Sequence, residues 1–259
     1  MKVLSLYVEG DSLVHKLAPV TKLVYAVTSV IITLLFPSLL VGSLFVVLSF
    51  ILSLNARIMK HMLTLLAVVL VLSISILIIQ VLFNPSNQTV IFEIGNIKFY
   101  KEGLVHAFVL ILRLYNMIIS FGILILTTKP SDLVNNLVQR GLSPKFGYIL
   151  SSVLQVIPQM LSTTSTIIDA QRSRGLETEG NFFRKMKAFV ALLGPLVLSS
   201  LVEARERAMA IEVRGFDIQG KRTMLNEIRE TNLDKFILNI LRISLVFAIV
   251  WRIVLWVIH

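Results

Sequence analysis

The chain contains no cysteine. That excludes disulfides, thiolate metal sites and cysteine nucleophiles. Charge is scarce too: 15% of the 259 residues are Asp, Glu, Lys or Arg, against about 25% in a soluble domain. Histidine is sparse and scattered, and His15, His61, His106 and His259 show no metal-ligand spacing. There is no Gly-x-x-x-x-Gly-Lys-Ser/Thr loop, so ATP is not bound by that route. No Gly-x-Ser-x-Gly or His-Glu-x-x-His string occurs either. Catalytic residues, metals and cofactors are therefore all expected to be absent. The amino-terminal region does not read as a cleavable signal: Glu9 and Asp11 stand where positive charge is expected, and no small-residue cleavage site follows.

What is present is apolar. Hydrophobic residues make up 56% of the chain and the mean hydropathy is +0.83. Several segments reach the ~20 apolar residues that cross a bilayer. The fold class is accordingly an all-α integral membrane protein. Spans are expected at about Leu17–Phe36, from Pro37-Ser38 to Leu54, at Met62–Phe83, at Leu104–Leu126 and at Phe236–Ile258. Between the third and fourth, residues 84–103 are polar and alternate with period two around Gly95-Asn96, a pair suited to a hairpin turn. Trp251 and Trp256 close the last span in the manner of an interfacial belt.

The net charge of +10 is read as basic cytoplasmic loops and not as a nucleic-acid surface. Residues 127–235 hold 15 of the 25 Lys and Arg and 11 of the 15 Asp and Glu. The positive-inside rule then places the N-terminus, "NARIMKH" and this long region in the cytoplasm, with the hairpin outside. About five spans result: helices 1–4 in residues 1–128, a cytoplasmic module of about three helices in 129–235, and a last span in 236–259. The segment "MKAFVALLGPLVLSSLVEA" is apolar enough to cross as well. A long helix dipping into the bundle near Pro195 is the preferred reading. If it crossed instead, Arg205, Arg207, Arg214, Lys221, Arg222, Arg229 and Lys235 would lie outside.

The module carries a repeat. "DAQRSRGLE" and "MAIEVRGFD" share an alanine, an Arg-Gly pair, a following apolar residue (Leu176, Phe216) and then an acid (Glu177, Asp217). Glycine just past a helix is the usual left-handed stop. Arg174 and Arg214 thus stand in the last turn at exposed helix tips, where a cation gains ~0.3–1 kcal/mol from the helix dipole. Capping alone would explain either one. Two long helices with proline-containing apolar middles (Pro158, Pro195) and the same basic tip look like two plugs for two similar sockets. An arginine fork suits a carboxylate or a set of carbonyls, and Leu176 or Phe216 would add an apolar anchor. The preceding helix is expected to open on Ser131 and Asp132 after Pro130 and to close at Gly141.

Arg113 sits well inside the fourth span, where charge is costly. Two readings stand level: a functional charge, or a cation paired with a neighbouring helix. Glu203, Glu206 and Glu212 beside Arg205 and Arg207 would suit a membrane enzyme, but the simpler reading is ion pairing along one helix. A channel or secondary transporter would need polar residues lining several spans. The first three spans offer little beyond Ser, Thr and Gln80.

These residues resemble a known family, the transmembrane T component of energy-coupling factor (ECF) transporters, over nearly the whole chain. "HKLAPVTKL" from His15 is similar to the family's His-x-Leu-Asp-Pro-x-x-Lys-Leu segment, with Ala18 where an acid is usual. "IGNIKFYKEGLVHAFVLILRL" resembles its outer loop and arginine-bearing span, with Gly103 and Arg113 in place. "TTKPSDLVNNL" and "VIPQM" resemble the start of its cytoplasmic helices, with Val156 where a basic residue is common. "AQRSRG" and "EARERAMAIEVRGF" resemble its two X-Arg-X motifs, which assigns Ser173, Arg174, Gly175, Val213, Arg214 and Gly215 to ATPase docking. The resemblance implies a multi-pass cell-membrane protein that couples two similar or identical cytosolic ABC ATPase subunits to a membrane substrate-binding S component for vitamin or transition-metal uptake. It implies no substrate site in this chain. The long coupling helices, with an apolar Met-rich face at Met160 and Met186, would pack on the S component.

Overall fold

The computed structural model describes residues 6–86, 88–94, 97–176, 181–216 and 231–258. Gly95, Asn96, Glu177, Asp217, Lys221, Arg222, Arg229 and His259 fall outside them, as does the Trp256 side chain. The helices in chain order are α1 (Leu13–Lys16), α2 (Pro19–Leu35), α3 (Leu39–Asn55), α4 (Met59–Phe83), α5 (Lys101–Thr127), α6 (Pro130–Gln139), α7 (Pro144–Ser173), α8 (Phe182–Val213) and α9 (Asn232–Ile258). Two strands, β1 (Val90–Ile94) and β2 (Ile97–Tyr100), lie between α4 and α5. They pair antiparallel with Ile94 opposite Ile97 and Glu93 opposite Lys98, as the alternating pattern anticipates. The protein is an all-α integral membrane protein. By length and composition, Met59–Phe83, Lys101–Thr127, Phe182–Val213 and Asn232–Leu255 can each cross a bilayer, while α2 and α3 are apolar but only 17 residues long.

The chain forms two compact units. One comprises α1–α6, the hairpin and α9, and the other comprises α7 and α8. α6 therefore packs with the membrane helices, against α2. It does not open on Ser131 or Asp132 as its cap. Lys129 is the N-cap, without a side-chain bond, and Pro130 takes the first helical position. Proline there loses nothing, because that amide has no partner in any helix. Ser131 and Asp132 fall inside the first turn, where Asp132 still favours the dipole.

In the first unit α5 is central and touches α2, α3 and α4. Its apolar contacts run through Ile119, Ile123 and Leu126 to Val14, Ala56, Ile58 and Met62. Two glycines set the spacing. A Cβ on Gly42 would lie 3.2 Å from the Leu112 Cβ, and one on Gly122 would lie 3.0 Å from the Met62 thioether. Small residues at such contacts let helix backbones approach in lipid, where apolar side chains alone gain little by meeting. Outer faces carry Leu40, Val68, Val71, Ile243 and Phe247, all well exposed, as lipid-facing surface requires.

The Ser and Thr residues scattered through the early spans converge on one buried cluster. Asn116 of α5 is fully buried. Its amide donates to the Ser29 carbonyl and the Thr33 hydroxyl of α2, at 3.2 and 3.3 Å. Its carbonyl accepts from Ser49 of α3 and from Ser120 one turn on. Ser29 donates to Ser120 at 3.0 Å, and Tyr25 and Ser49 are hydrogen-bonded at 2.7 Å. Hydrogen bonds between membrane helices act as glue. Here one asparagine gathers three helices. Asn116→Ala is expected to cost about 1–2 kcal/mol and to lower the unfolding midpoint in detergent. Ser75→Ala, on an exposed helix face, should stay within ~0.5 kcal/mol of the parent.

Candidate functional site

The helix ends that carry the repeated motif are built alike, down to single hydrogen bonds. Arg174 is the C-cap of α7, one position beyond the last helical residue, and Gly175 follows with φ +85°. The Gly175 amide donates to the Arg172 carbonyl and the Leu176 amide to the Gln171 carbonyl. Arg214 is the C-cap of α8, followed by Gly215 with φ +71°. Gly215 donates to Glu212 and Phe216 to Ile211. This pair of bonds, six-to-one and five-to-two, is the Schellman arrangement, and it satisfies carbonyls a helix end otherwise leaves open. Only glycine reaches its positive φ without a Cβ penalty.

A third copy was missed in the sequence, although "VQRGLSP" displays it. Arg140 caps α6, Gly141 has φ +110°, Gly141 donates to Val138 and Leu142 to Leu137. The Arg-Gly-apolar ending is thus first of all a way to stop a helix. Exposure separates the three. Arg140 is half-buried in its unit, whereas Arg172, Ser173, Arg174, Glu212, Val213 and Arg214 are exposed. Val213 is 89% exposed, unusual for a branched apolar side chain next to a cation. An exposed guanidinium beside exposed apolar surface is what a docking tip would present.

The α7–α8 pair is antiparallel. Tyr148, early in α7, packs its ring on Phe216, just past α8, with centroids 5.1 Å apart. Phe216 is therefore half-buried against its own unit and not a free anchor. Further along, Gln159 Nε2 donates to the Glu203 carboxylate and Gln159 Oε1 accepts from Arg207, both at 3.1 Å. Glu203, one of the three acids that a membrane enzyme would use, thus serves as a link between helices. Between these contacts lies a cleft of ≈510 Å³ lined by Tyr148, Val153, Met160, Ala204 and Ile211 among others. Because the helices run in opposite directions, the Arg214 tip sits by the start of α7 and the Arg174 tip at its end. The 26 residues from Tyr148 to Arg174 put roughly 39 Å of helix between them.

Arg113, on α5 one turn before Asn116, is half-buried. Its Nε is buried without a hydrogen-bond partner among the described residues. The cation paired with a neighbouring helix is not formed at that atom. At the amino-terminal end, "HKLAPVTKL" folds as α1, a break at Leu17-Ala18, and the first turn of α2. His15 Nε2 donates to the Val8 carbonyl at 3.0 Å, and its Nδ1 lies 2.7 Å from the Ser12 hydroxyl. Among the described residues no three His, Asp or Glu side chains gather as a metal site.

A multi-pass helical unit and an antiparallel pair of long helices with exposed cationic caps define a class: an all-α integral membrane protein with exposed arginine-capped helix ends. Comparison with known proteins sharpens this. The model of the CbiQ family, described as cobalt transport protein, matches residues 10–225. A protein of Lactococcus lactis subsp. cremoris, named energy-coupling factor transporter transmembrane protein EcfT, is 30% identical over 256 residues, covering 95% of this chain and 96% of its own. A Bacillus subtilis protein of the same name is 29% identical and covers 90% of this chain and 91% of its own. The chain belongs to the EcfT/CbiQ family of transmembrane components of ECF transporters.

The cost of the helix stops can be measured. A Cβ on Gly175 would meet nothing within 4 Å, so Gly175→Ala is penalised by backbone conformation alone, about 1–2 kcal/mol. Amide exchange at Gly175 and Leu176 should accelerate in the variant while exchange in α5 stays unchanged.

Proposed function

We propose that this chain is the energy-coupling subunit of an ECF-type importer. Arg174 and Arg214, with Ser173, Gly175, Val213 and Gly215, dock on two similar cytosolic ABC ATPase subunits. α7 and α8 carry the ATPases' motion to a membrane S component that binds a vitamin or a transition-metal ion. ATP hydrolysis belongs to the partners. The N-terminus and the α7–α8 unit face the cytoplasm.

The observation that carries this reading is the pair of exposed arginine caps at opposite ends of one antiparallel helix pair. A single socket cannot take two tips separated by about 39 Å of helix, whereas two subunits of an ATPase dimer can take one each. The separation also bears on the apolar segment of α8. If α7 and α8 stood upright across the bilayer, one tip would emerge on each side. Both tips reach the cytoplasm only when the pair lies along the membrane surface, with the apolar middles around Pro158 and Pro195 turned toward lipid or a membrane partner. The ≈510 Å³ cleft and the exposed Met186 and Val197 are the surface on which that partner packs.

Replacing Arg174 and Arg214 together by alanine should strip both ATPases from the complex purified through this chain. Each single variant should weaken retention about 10–100-fold, the loss of one charge-assisted contact worth 1.5–3 kcal/mol. Arg→Lys at either site should restore little, because lysine keeps the charge but not the planar fork. Undiminished recovery of both ATPases with the double alanine variant would refute the docking role. The reading also requires that labels introduced at residues 173 and 213 react from the same side of sealed vesicles.

A further inference from the structure

The first turn of α2 is a meeting point for helices that are far apart in the chain. Asp234, 1% exposed, is the third residue of α9. Its Oδ2 accepts from the Thr231 amide at 2.9 Å, closing the start of its own helix in capping-box fashion. Its Oδ1 accepts from the Ala18 amide at 2.9 Å and from the Thr21 hydroxyl at 3.2 Å. One carboxylate therefore closes the N-termini of two helices, where the dipole favours negative charge. Asn136 of α6, also buried, accepts from the Val20 amide at 3.2 Å. Lys22, 4% exposed, does the converse. Its ammonium donates to the Thr127 carbonyl, the end of α5, at 2.9 Å and to the His15 carbonyl in α1 at 3.3 Å.

Ala18 is the N-cap of α2 and provides no side-chain acceptor. An acid at that position would serve the second or third amide of the helix itself. Here the tasks are divided: Asn136 takes the Val20 amide, and Asp234 supplies the negative charge. Both replacements come from helices adjoining the α7–α8 unit. α6 ends at Gln139, just before that unit begins at Ser143, and α9 opens just after it ends at Glu227. The chain thus enters and leaves the α7–α8 unit through two helices that are tied to the same turn of α2.

We infer that Asp234 is a positioning residue for energy coupling: with Asn136 and Lys22 it fastens both chain connections of the α7–α8 unit to the first turn of α2. Movement of that unit is then delivered to the membrane helices as a whole and is not lost by spreading α6 from α9. This inference rests on the coupling role proposed above. Burying charged groups is a weak way to gain stability, and one established use of such groups is to specify register. An anchor that must hold its geometry under load needs that register.

The absence of cysteine makes the test direct. Ser131→Cys on α6 and Phe236→Cys on α9, both exposed, take spin labels in the full complex with cysteine-free ATPases, and the inter-label distance is read with and without ATP. The parent should give one narrow distance that ATP does not change. Asp234→Asn keeps the size of the side chain but sets an amide donor against an amide donor. It should broaden the distribution, with a second, longer population in ATP. Asp234→Glu, which keeps the carboxylate but adds a methylene, should stay narrower than Asp234→Asn, an order that general loss of packing would not give. If Asp234→Asn does not accumulate, Asn136→Ala frees the α6 arm alone and should broaden the distance by itself. A distribution in Asp234→Asn and Asn136→Ala identical to the parent's, in both nucleotide states, overturns the anchor, as does one for Asp234→Glu as broad as that of Asp234→Asn. ATPase recovery with the parent chain reads the coupling role separately. Were no ATPase recovered, that role would fall, while the nucleotide-free distance would still decide whether the anchor exists.

Discussion

An α-helix satisfies its own backbone everywhere except at its ends, where up to four amides and four carbonyls are left open. In a membrane protein this constraint is sharper than in water, because hydrocarbon offers no replacement partners. Much of what is specific in this chain is a solution to that problem. Glycine stops close α6, α7 and α8 with the same two hydrogen bonds. Asp234 closes the starts of α2 and α9. Lys22 takes the carbonyls of His15 and Thr127. The apolar middles of the helices make the protein a membrane protein, and the treatment of their ends makes it this one.

The same view explains why the arginine caps can serve two purposes. A cation at a helix C-terminus is favoured by the dipole whether or not a partner is present. Arg140 shows the structural use by itself, half-buried at the end of α6. Arg174 and Arg214 repeat that use at ends left exposed, and in the docking role proposed for them that exposure would turn a cap into a contact. A docking motif of the proposed kind would carry little folding cost, since the residues that stop the helix would be the ones presented to the partner.

Much of this was legible in the sequence, where the signal is local. The five long apolar stretches, the alternating hairpin and the glycine stops each depend on residues within a few positions of one another, and each is found within about four residues of its expected place. The Ser131-Asp132 cap was not, because Pro130 outranks both for the first helical position. What could not be read locally was pairing across the chain. Asn116 looks like an ordinary polar residue in a span, and only the fold shows it collecting Ser29, Thr33, Ser49 and Ser120. Gln159 gave no hint of joining Glu203 to Arg207. The antiparallel course of α7 and α8, which sets the two tips apart, follows from Tyr148 meeting Phe216 and has no signature in either segment alone. The missing acid at Ala18 was visible, but its replacement lies in α9.

That replacement has a consequence for how the protein is made. Asp234 is 216 residues downstream of the amide it caps, so α2 enters the membrane long before its N-terminus can be completed. Through the synthesis of α3 to α8 the Ala18 amide must rely on water or lipid headgroups. Only the emergence of α9 releases it from that interim solvation, and the first-made turn of the bundle becomes one of the last to reach its final form.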